Sequence, residues 1–373
     1  MNTKIAIAST LKPVIDPRAY EKIGKTLAES GQYEVHILGS SPTNNLEDSK
    51  LFLHNISNTN GILRRILLPI TLLVELLKIK PKALIITTHE LLVIGVFFKL
   101  YSGCKLLYDI QENYYFNLIY QKNYPKILRY LLAIYVRTKE ILLANFMDHF
   151  LLAEKCYAQE IKFLKHRYTI LENKYKAADN GIKKQQQSKT EFLLSGTISR
   201  MYGVFEALHF FSQLPASEYK LVIIGHCSNR STFNQLKKEI ADVENIDFHV
   251  SLTPIPQSEI HSKIGNRTIG LLPYQANKST ENKIPTKLYE YIGLGVPILI
   301  SANPIWSNLI DKYQAGIIFD FHSTVNIDDI SKSLTSIKHN QSIDLKDIMW
   351  NIEETKLLAL MEHLLFTKKK INI

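Results

Sequence analysis

Cysteine is scarce in this sequence, and Cys104, Cys156 and Cys227 share no short spacing. An odd, dispersed set without a CxxC pair argues against a disulfide framework and against a thiolate zinc site. The twelve histidines form no HExxH and no cluster with cysteine, and no Asp-x-Asp is present to hold a metal against a diphosphate. No metal is therefore expected. No apolar run reaches the roughly 20 residues that a membrane-spanning helix needs. The longest candidate, 66–77, is interrupted by Pro69 and Glu75. The chain opens on Met1-Asn2-Thr3-Lys4 and passes at once into Ile5-Ala6-Ile7-Ala8, so no secretory leader is expected. The cytoplasm is the expected compartment, with peripheral attachment at the inner face of the membrane as its extension.

What is present is globular. Hydrophobic residues make up 46% and charged residues 21% of 373 residues, enough for two domains with separate cores. The net charge of +10 is unevenly placed. Residues 1–184 hold 26 Lys and Arg against 16 Asp and Glu, whereas residues 185–373 hold 19 against 19. An anionic partner, a phosphate-bearing substrate or an anionic membrane surface, is expected to meet the first half. Nucleic acid is not expected, because no basic stripe interleaves with aromatics in a recognisable module.

Strand and helix signals alternate. In the first half, strands are expected at 5–8, 33–38, 83–87, 105–108, 149–153 and 168–171, with helices near 17–30, 91–101 and 126–145. Asp16 and Pro17 read as an N-cap and a first helical residue. Residues 174–190 are polar and aperiodic, which suggests a linker. The second half restarts with strands at 192–195, 220–224, 268–272, 297–301 and 316–320. Its helices are expected at 204–214 and 285–294, the latter begun by Pro285 and stopped by Gly295. Residues 346–366 read as one last amphipathic helix. Alternation of this kind means parallel sheets covered on both faces, with ligands at the carboxyl ends of the strands. The expected division is 1–176, 177–345 and a terminal helix at 346–373 packing back on the first domain.

The richest constellation runs from Asn282-Lys283-Ile284-Pro285-Thr286-Lys287 through Glu290 to Gly295-Val296-Pro297. Lys287 and Glu290, three apart, share a helix face. The lysine suits phosphate oxygens and the carboxylate suits paired ribose hydroxyls; a plain surface ion pair is the alternative. Arg18, at a helix N-terminus behind Asp16, is a candidate for an acceptor phosphate, with a loop contact to Asp16 as the alternative; Glu154, just past a strand, is a second acceptor candidate. Asp109 and Glu112, at another strand end, are candidates for a catalytic role, with ribose, acceptor hydroxyl and plain loop capping all open. Arg64–Leu68 and Leu91–Lys99 mix cations with large apolar residues, as membrane-surface or ordinary core helices do.

The run Pro285–Tyr291 followed by Gly295-Val296-Pro297 resembles glycosyltransferase family 4, the group 1 glycosyltransferases of bacterial polysaccharide synthesis. So do Ser195–Val204, Asp16-Pro17-Arg18, Tyr108–Glu112 and Ala153–Tyr157, in the right order along the chain. The resemblance implies an α/β protein of the GT-B fold, two Rossmann-like domains facing across a cleft. It implies an enzyme that moves a sugar from a nucleotide-diphosphate sugar to a hydroxyl of a glycan or lipid-linked acceptor, with retention of configuration, without metal or other cofactor. Carried over residue by residue, Glu290 would bind the ribose, Gly196 and Thr197 would lie by the diphosphate, and Arg200, Asn282, Lys283 and Lys287 would complete the donor site. Gln111 stands where many relatives place a histidine. Asn282 and Tyr202 also depart from the family pattern of a glutamate and a lysine, and the segment after Ala8 lacks the usual glycines. A sugar-nucleotide epimerase and an inactive ligand-binding partner of a polysaccharide assembly complex are the rival readings.

Overall fold

The structure, a computed structural model, describes residues 2–40, 51–56, 62–120, 124–177, 184–275, 277–324, 326, 330, 332 and 344–367. The chain divides into two units, Met1–Asn173 with Trp350–Ile373, and Lys174–Met349.

The first unit is built on β1 (Thr3–Pro13), β2 (Tyr33–Ser40), β3 (Leu51–Asn55), β4 (Ala83–Ile86), β5 (Lys105–Ile110), β6 (His149–Leu152) and β7 (Tyr168–Ile170). They form one sheet in the order β3-β2-β1-β4-β5-β6-β7, parallel at every pairing. The order reverses between β1 and β4, so this is where a crevice opens beyond the carboxyl ends. A π-helical turn over Pro17–Gly24 and α1 (Lys25–Glu29) follow β1. Asp16 caps that turn through its Oδ1, which accepts from the amides of Arg18 (3.1 Å) and Ala19 (3.0 Å). The remaining helices are α2 (Ile62–Ile79), α3 (Leu92–Ser102), α4 (Tyr114–Tyr120), α5 (Lys126–Leu143) and α6 (Tyr157–Glu160). Helices α2 and α3 cover one face of the sheet through Leu68, Leu72, Leu76, Leu92, Val96 and Phe98. The other face is covered by the turn after β1, by α1 and by the C-terminal helix.

The second unit repeats the plan with β8 (Thr190–Thr197), β9 (Tyr219–His226), β10 (Ile246–Ser251), β11 (Thr268–Leu272), β12 (Ile298–Ile300) and β13 (Gly316–Ile318). Their order is β10-β9-β8-β11-β12-β13, again parallel throughout and reversing beside its first strand. Its helices are α7 (Val204–Phe211), α8 (Arg230–Glu239), α9 (Gln257–Ser262), α10 (Thr286–Leu294) and α11 (Pro304–Tyr313). The chain then returns to the first unit as α12 (Asn351–Phe366).

Several expectations change. β1 continues to Pro13 through a register shift after Ala8, so the glycine-poor segment after Ala8 is strand and not a loop. The single helix expected at 346–366 is broken. Lys346–Ile348 forms a 3₁₀ turn whose Ile348 belongs to the core of the second unit. Met349 is extended (φ −86°, ψ 145°) and bridges Tyr175, where the two crossing strands of chain lie side by side. Trp350 then enters the core of the first unit. Pro285 is the capping residue of α10, and Thr286 is its first helical residue. Elements β3, β10, α4, α8, α9 and α11 carry weak or edge-type patterns and were not expected; α8, for instance, buries only Thr232 and Leu236. Parts of two further expectations, 178–183 of the linker and the terminal Lys368-Lys369-Lys370, lie outside the described residues.

Trp350 fixes the returning helix. It is fully buried, its indole Nε1–H donates to Thr26 Oγ1 at 2.9 Å, and the Lys22 ammonium lies 5.9 Å from its ring. Trp350→Ala should destabilise the first unit by about 3–5 kcal/mol, measured by chemical denaturation. A loss under about 1 kcal/mol would show that the tryptophan does not hold α12 in place.

Candidate functional site

In the second unit the candidate residues gather at the carboxyl end of β8 and the start of α10. Gly196 sits at the penultimate position of β8 with φ +100°, a conformation open to glycine. Gly196 and Thr197 therefore belong to the strand end, and the loop that leads to α7 is 198–203. A β-carbon on Gly196 would stand 3.1 Å from Cε of Lys287, so the lysine lies across the strand end. Gly203, the residue capping α7, has φ +74°, and a side chain there would collide with the carbonyl of Pro273. α10 is tied to β8 by Tyr291, whose hydroxyl is 2.8 Å from Ser195 Oγ and donates to the carbonyl of Leu193 at 3.2 Å.

Glu290 is 3% exposed, and both of its oxygens are engaged. Oε2 meets Lys287 Nζ at 2.5 Å. Oε1 accepts from Gln257 Nε2 at 2.6 Å and lies 2.7 Å from His261 Nε2, which donates in the tautomer protonated there. Burial acts to raise this carboxyl, but Lys287 and His261 outweigh it and hold the group well below the usual carboxylate range. Gln257 and His261 escaped sequence reasoning. They lie four apart on the short helix α9, a signal too common to single out before the fold brings them to α10. Upstream of α10, the backbone of the 281–285 loop is pinned: Asn303 Nδ2 donates to the Glu281 carbonyl (2.9 Å) and Trp306 Nε1 to that of Lys283 (2.7 Å). Asn282 is exposed and Lys283 partly so. Arg200 is exposed, with its guanidinium 4.4 Å from the Phe205 ring and bonded to Gln235. Tyr202 packs its ring 5.0 Å from that of Tyr274.

In the first unit, Arg18, Asp109 and Gln111 come together at the switch point. Arg18 is 4% exposed and Asp109 is fully buried. Arg18 Nη2 and Nε donate to Asp109 at 2.7 and 2.9 Å, while Nη1 donates to the Leu171 carbonyl (2.7 Å) and to Asn173 Oδ1 (2.9 Å). The geometry turns Arg18 inward onto β5 and the end of β7, where its guanidinium faces Asp109. Asp109 Oδ2 also accepts from Gln111 Nε2 at 2.8 Å, and Gln111 Oε1 accepts from Lys12 Nζ. Gln111 is therefore oriented on both sides, and Lys12, a residue the sequence did not single out, is the cation nearest to it.

Glu112 is exposed and accepts from Asn117 Nδ2 at 2.7 Å; Glu154 is partly buried just past β6. His89 lies 3.0 Å from Lys139 Nζ and edge-on to Tyr114 (4.6 Å), and burial pushes its imidazole down. Among the described residues no group of three or more His, Cys, Asp or Glu is placed to hold a metal ion.

The Lys287–Glu290 pair makes a measurable claim. A carboxylate depressed below its unfolded value of about 4.3 contributes stability fully present above that pH and lost as pH falls further. Lys287→Met, which leaves Glu290 buried without its cation, should cost about 3 kcal/mol in urea denaturation at pH 7, and the deficit should shrink below pH 4. An equal deficit at both pH values would rule out the ion pair as its source.

Residues 176–353 match the family described as Glycosyl transferases group 1. No curated protein sequence matches significantly. Similar solved structures include sucrose-phosphate synthase from Thermosynechococcus elongatus, at 13% identity and TM-score 0.67, covering 97% of this chain and 99% of that one. Anabaena HepE in complex with UDP and glucose is similar at 12% identity and TM-score 0.66, covering 97% and 100%. WaaG, a glycosyltransferase involved in lipopolysaccharide biosynthesis, is similar at 14% and TM-score 0.62, covering 98% and 100%. The chain has the GT-B fold over nearly its whole length, and its second unit is matched by the group 1 glycosyl transferase family.

Proposed function

We propose that the protein is a glycosyltransferase whose second unit binds a nucleotide-diphosphate sugar, with a uridine diphosphate sugar as the first candidate. The observation that carries this is the Lys287–Glu290 pair at the start of α10, its lysine lying across Gly196 at the end of β8. Glu290 would exchange Gln257 and His261 for the ribose hydroxyls. Lys287, with the amides at the N-terminus of α10, would neutralise the diphosphate. The HepE complex with UDP and glucose supports the choice of base.

In this reading the chemistry is electrostatic. The bond from the sugar to the diphosphate breaks as the acceptor hydroxyl attacks. Lys287 and its helix terminus stabilise the charge that develops on the leaving nucleoside diphosphate. In the same proposal Arg200, in the loop after β8, and Asn282 and Lys283, in the loop before α10, help to hold the donor. Retention follows if the hydroxyl attacks from the leaving-group face and its proton passes to the departing phosphate. No metal is assigned a part in this step. The first unit takes the acceptor. Gln111, held by Asp109 and Lys12, offers a neutral amide to sugar hydroxyls, while Glu112 and Glu154 remain the carboxylates proposed to meet the acceptor. Arg18 and Asp109 act as positioning residues for Gln111. The acceptor is a glycan or lipid-linked saccharide of cell-surface polysaccharide synthesis, met at an anionic membrane surface.

UDP or UDP-glucose should raise the melting temperature, since a ligand at 100 times its Kd adds about 2.7 kcal/mol. Glu290→Gln should lose most of that shift while unfolding as a native protein does. Shifts that are identical in wild type and variant would remove the ribose assignment. Transfer should persist in excess chelator; loss restored by manganese or magnesium would overturn the metal-free step. Interconversion of two sugar nucleotides without acceptor would identify an epimerase, and binding without turnover of any donor an inactive partner.

A further inference from the structure

Helix α5 turns only the small apolar residues Ala133 and Val136 fully inward. The same protein-facing side carries Arg129, Arg137 and Glu140, which make polar contacts. Arg129 Nη1 donates to the Ile119 carbonyl (2.9 Å), Arg137 donates to Asn113 Oδ1 (2.6 Å) and pairs with Glu140 (3.2 Å), and Glu140 accepts from the Tyr108 hydroxyl (3.1 Å). Its outward side carries Ile127, Leu131, Ile134 and Ile141 at helical spacing, flanked by Leu128, Tyr130, Tyr135 and Leu142, all exposed. No acidic side chain stands on that side, because Glu140 is buried. α3, which packs against α5, exposes Val93, Phe97, Leu100 and Tyr101, and α2 exposes Ile70, Val74 and Leu77. Of 24 large hydrophobic residues exposed among the described residues, 18 fall within 70–146 and only three in the second unit. A soluble surface scatters such residues singly, whereas a contiguous set marks an interface.

We propose that the outward face of α5, continued by α3, lies in the headgroup region of an anionic lipid bilayer. Charge names the occupant. Residues 62–146 hold twelve Lys and Arg against five Asp and Glu. Lys126, at the first turn of α5, and Lys78, Lys80 and Lys82 beside the end of α2 are exposed. Cations around an apolar face attract anionic headgroups, while tyrosines such as Tyr101, Tyr124, Tyr130 and Tyr135 suit the boundary where one end of the ring is wet. A second copy fits less well, since a symmetric contact would place the same positive charge on both sides. No helix among the described residues is long and apolar enough to cross a membrane, so α5 rests on the surface with its apolar side immersed. The proposal rests on the preceding reading only for the lipid anchor of the acceptor. The side chains of the Arg64-Arg65 segment, an expected contributor, lie outside the described residues.

The test is flotation of the full chain with phosphatidylcholine vesicles, with and without phosphatidylglycerol, at low and high salt and with no sugar nucleotide present. Wild type should float with the anionic vesicles, less so at high salt. The double variant Leu131→Glu with Ile134→Glu should lose binding by about tenfold. Both positions are exposed, so its thermal unfolding should match wild type, and Ile141→Glu with Leu142→Glu should behave alike. The idea is overturned by wild type that does not float, or by variants that float equally well. It is also overturned by a wild-type dimer in sedimentation velocity that the variants convert to monomer without any vesicle binding. None of these outcomes depends on the donor chemistry, so failure here leaves the transferase reading standing and the reverse.

Discussion

A carboxylate removed from water must be paired, and each unit places one beside the working ends of its sheet. In the first unit it is Asp109, at the end of β5, held by Arg18 from the turn that follows β1. In the second it is Glu290, on α10, held by Lys287 from the same helix and by His261 and Gln257 from α9. Removing either cation leaves a buried charge that costs several kcal/mol, so both pairs constrain the segments that bear them. The two pairs differ in solvent access. Arg18 is bonded to Asp109, the Leu171 carbonyl and Asn173 in a fixed fork and anchors β1 to β5 and β7. Lys287 and His261 keep some solvent access, whereas Arg18 is enclosed.

Parallel pairing explains why these groups sit where they do. Each crossover returns the chain to the same edge, so every strand ends on one side of its sheet and the loops that carry polar side chains collect there. Glycine then decides how closely those loops approach. At Gly196 the positive φ disfavours any side chain and Lys287 lies close by, and at Gly203 the carbonyl of Pro273 fills the space. The backbone at the end of β8 thereby lies beside the Lys287 side chain.

The surface of the first unit follows a different logic. Turning the buried Glu140 and the partly buried Arg137 to the inner side of α5 lets their charges satisfy each other and Asn113, which fixes the 111–114 loop from beneath. Apart from the buried Ala133 and Val136, the helix is then left with most of its large apolar residues outside. An orientation set by polar contacts thus produces an apolar exterior that simple amphipathic reasoning would have assigned to the core.

Much of this was legible in the sequence. Alternating strand and helix signals specify parallel sheets, because short apolar runs bounded by Gly and Pro can be satisfied only as buried strands. Asp16-Pro17 names its own helix start, and the spacing of Lys287 and Glu290 places both on one face of α10. Local patterns stop there, because they carry no information about partners distant in the chain. Whether Arg18 reaches outward or locks onto Asp109, 91 residues away, depends on β1 and β5 lying on either side of β4. The break of the last helix at Met349 depends on Tyr175 bridging it, since the pattern of 346–366 is continuous. The same holds for His261 and Gln257, ordinary polar residues until the fold sets α9 beside Glu290. The sequence by itself determined the strongly patterned strands and helices and their periodicity, but not the edge strands β3 and β10 or the weakly patterned helices. Only the tertiary structure decided which charges are buried and therefore must pair, because desolvation is a property of the surroundings and not of the residue.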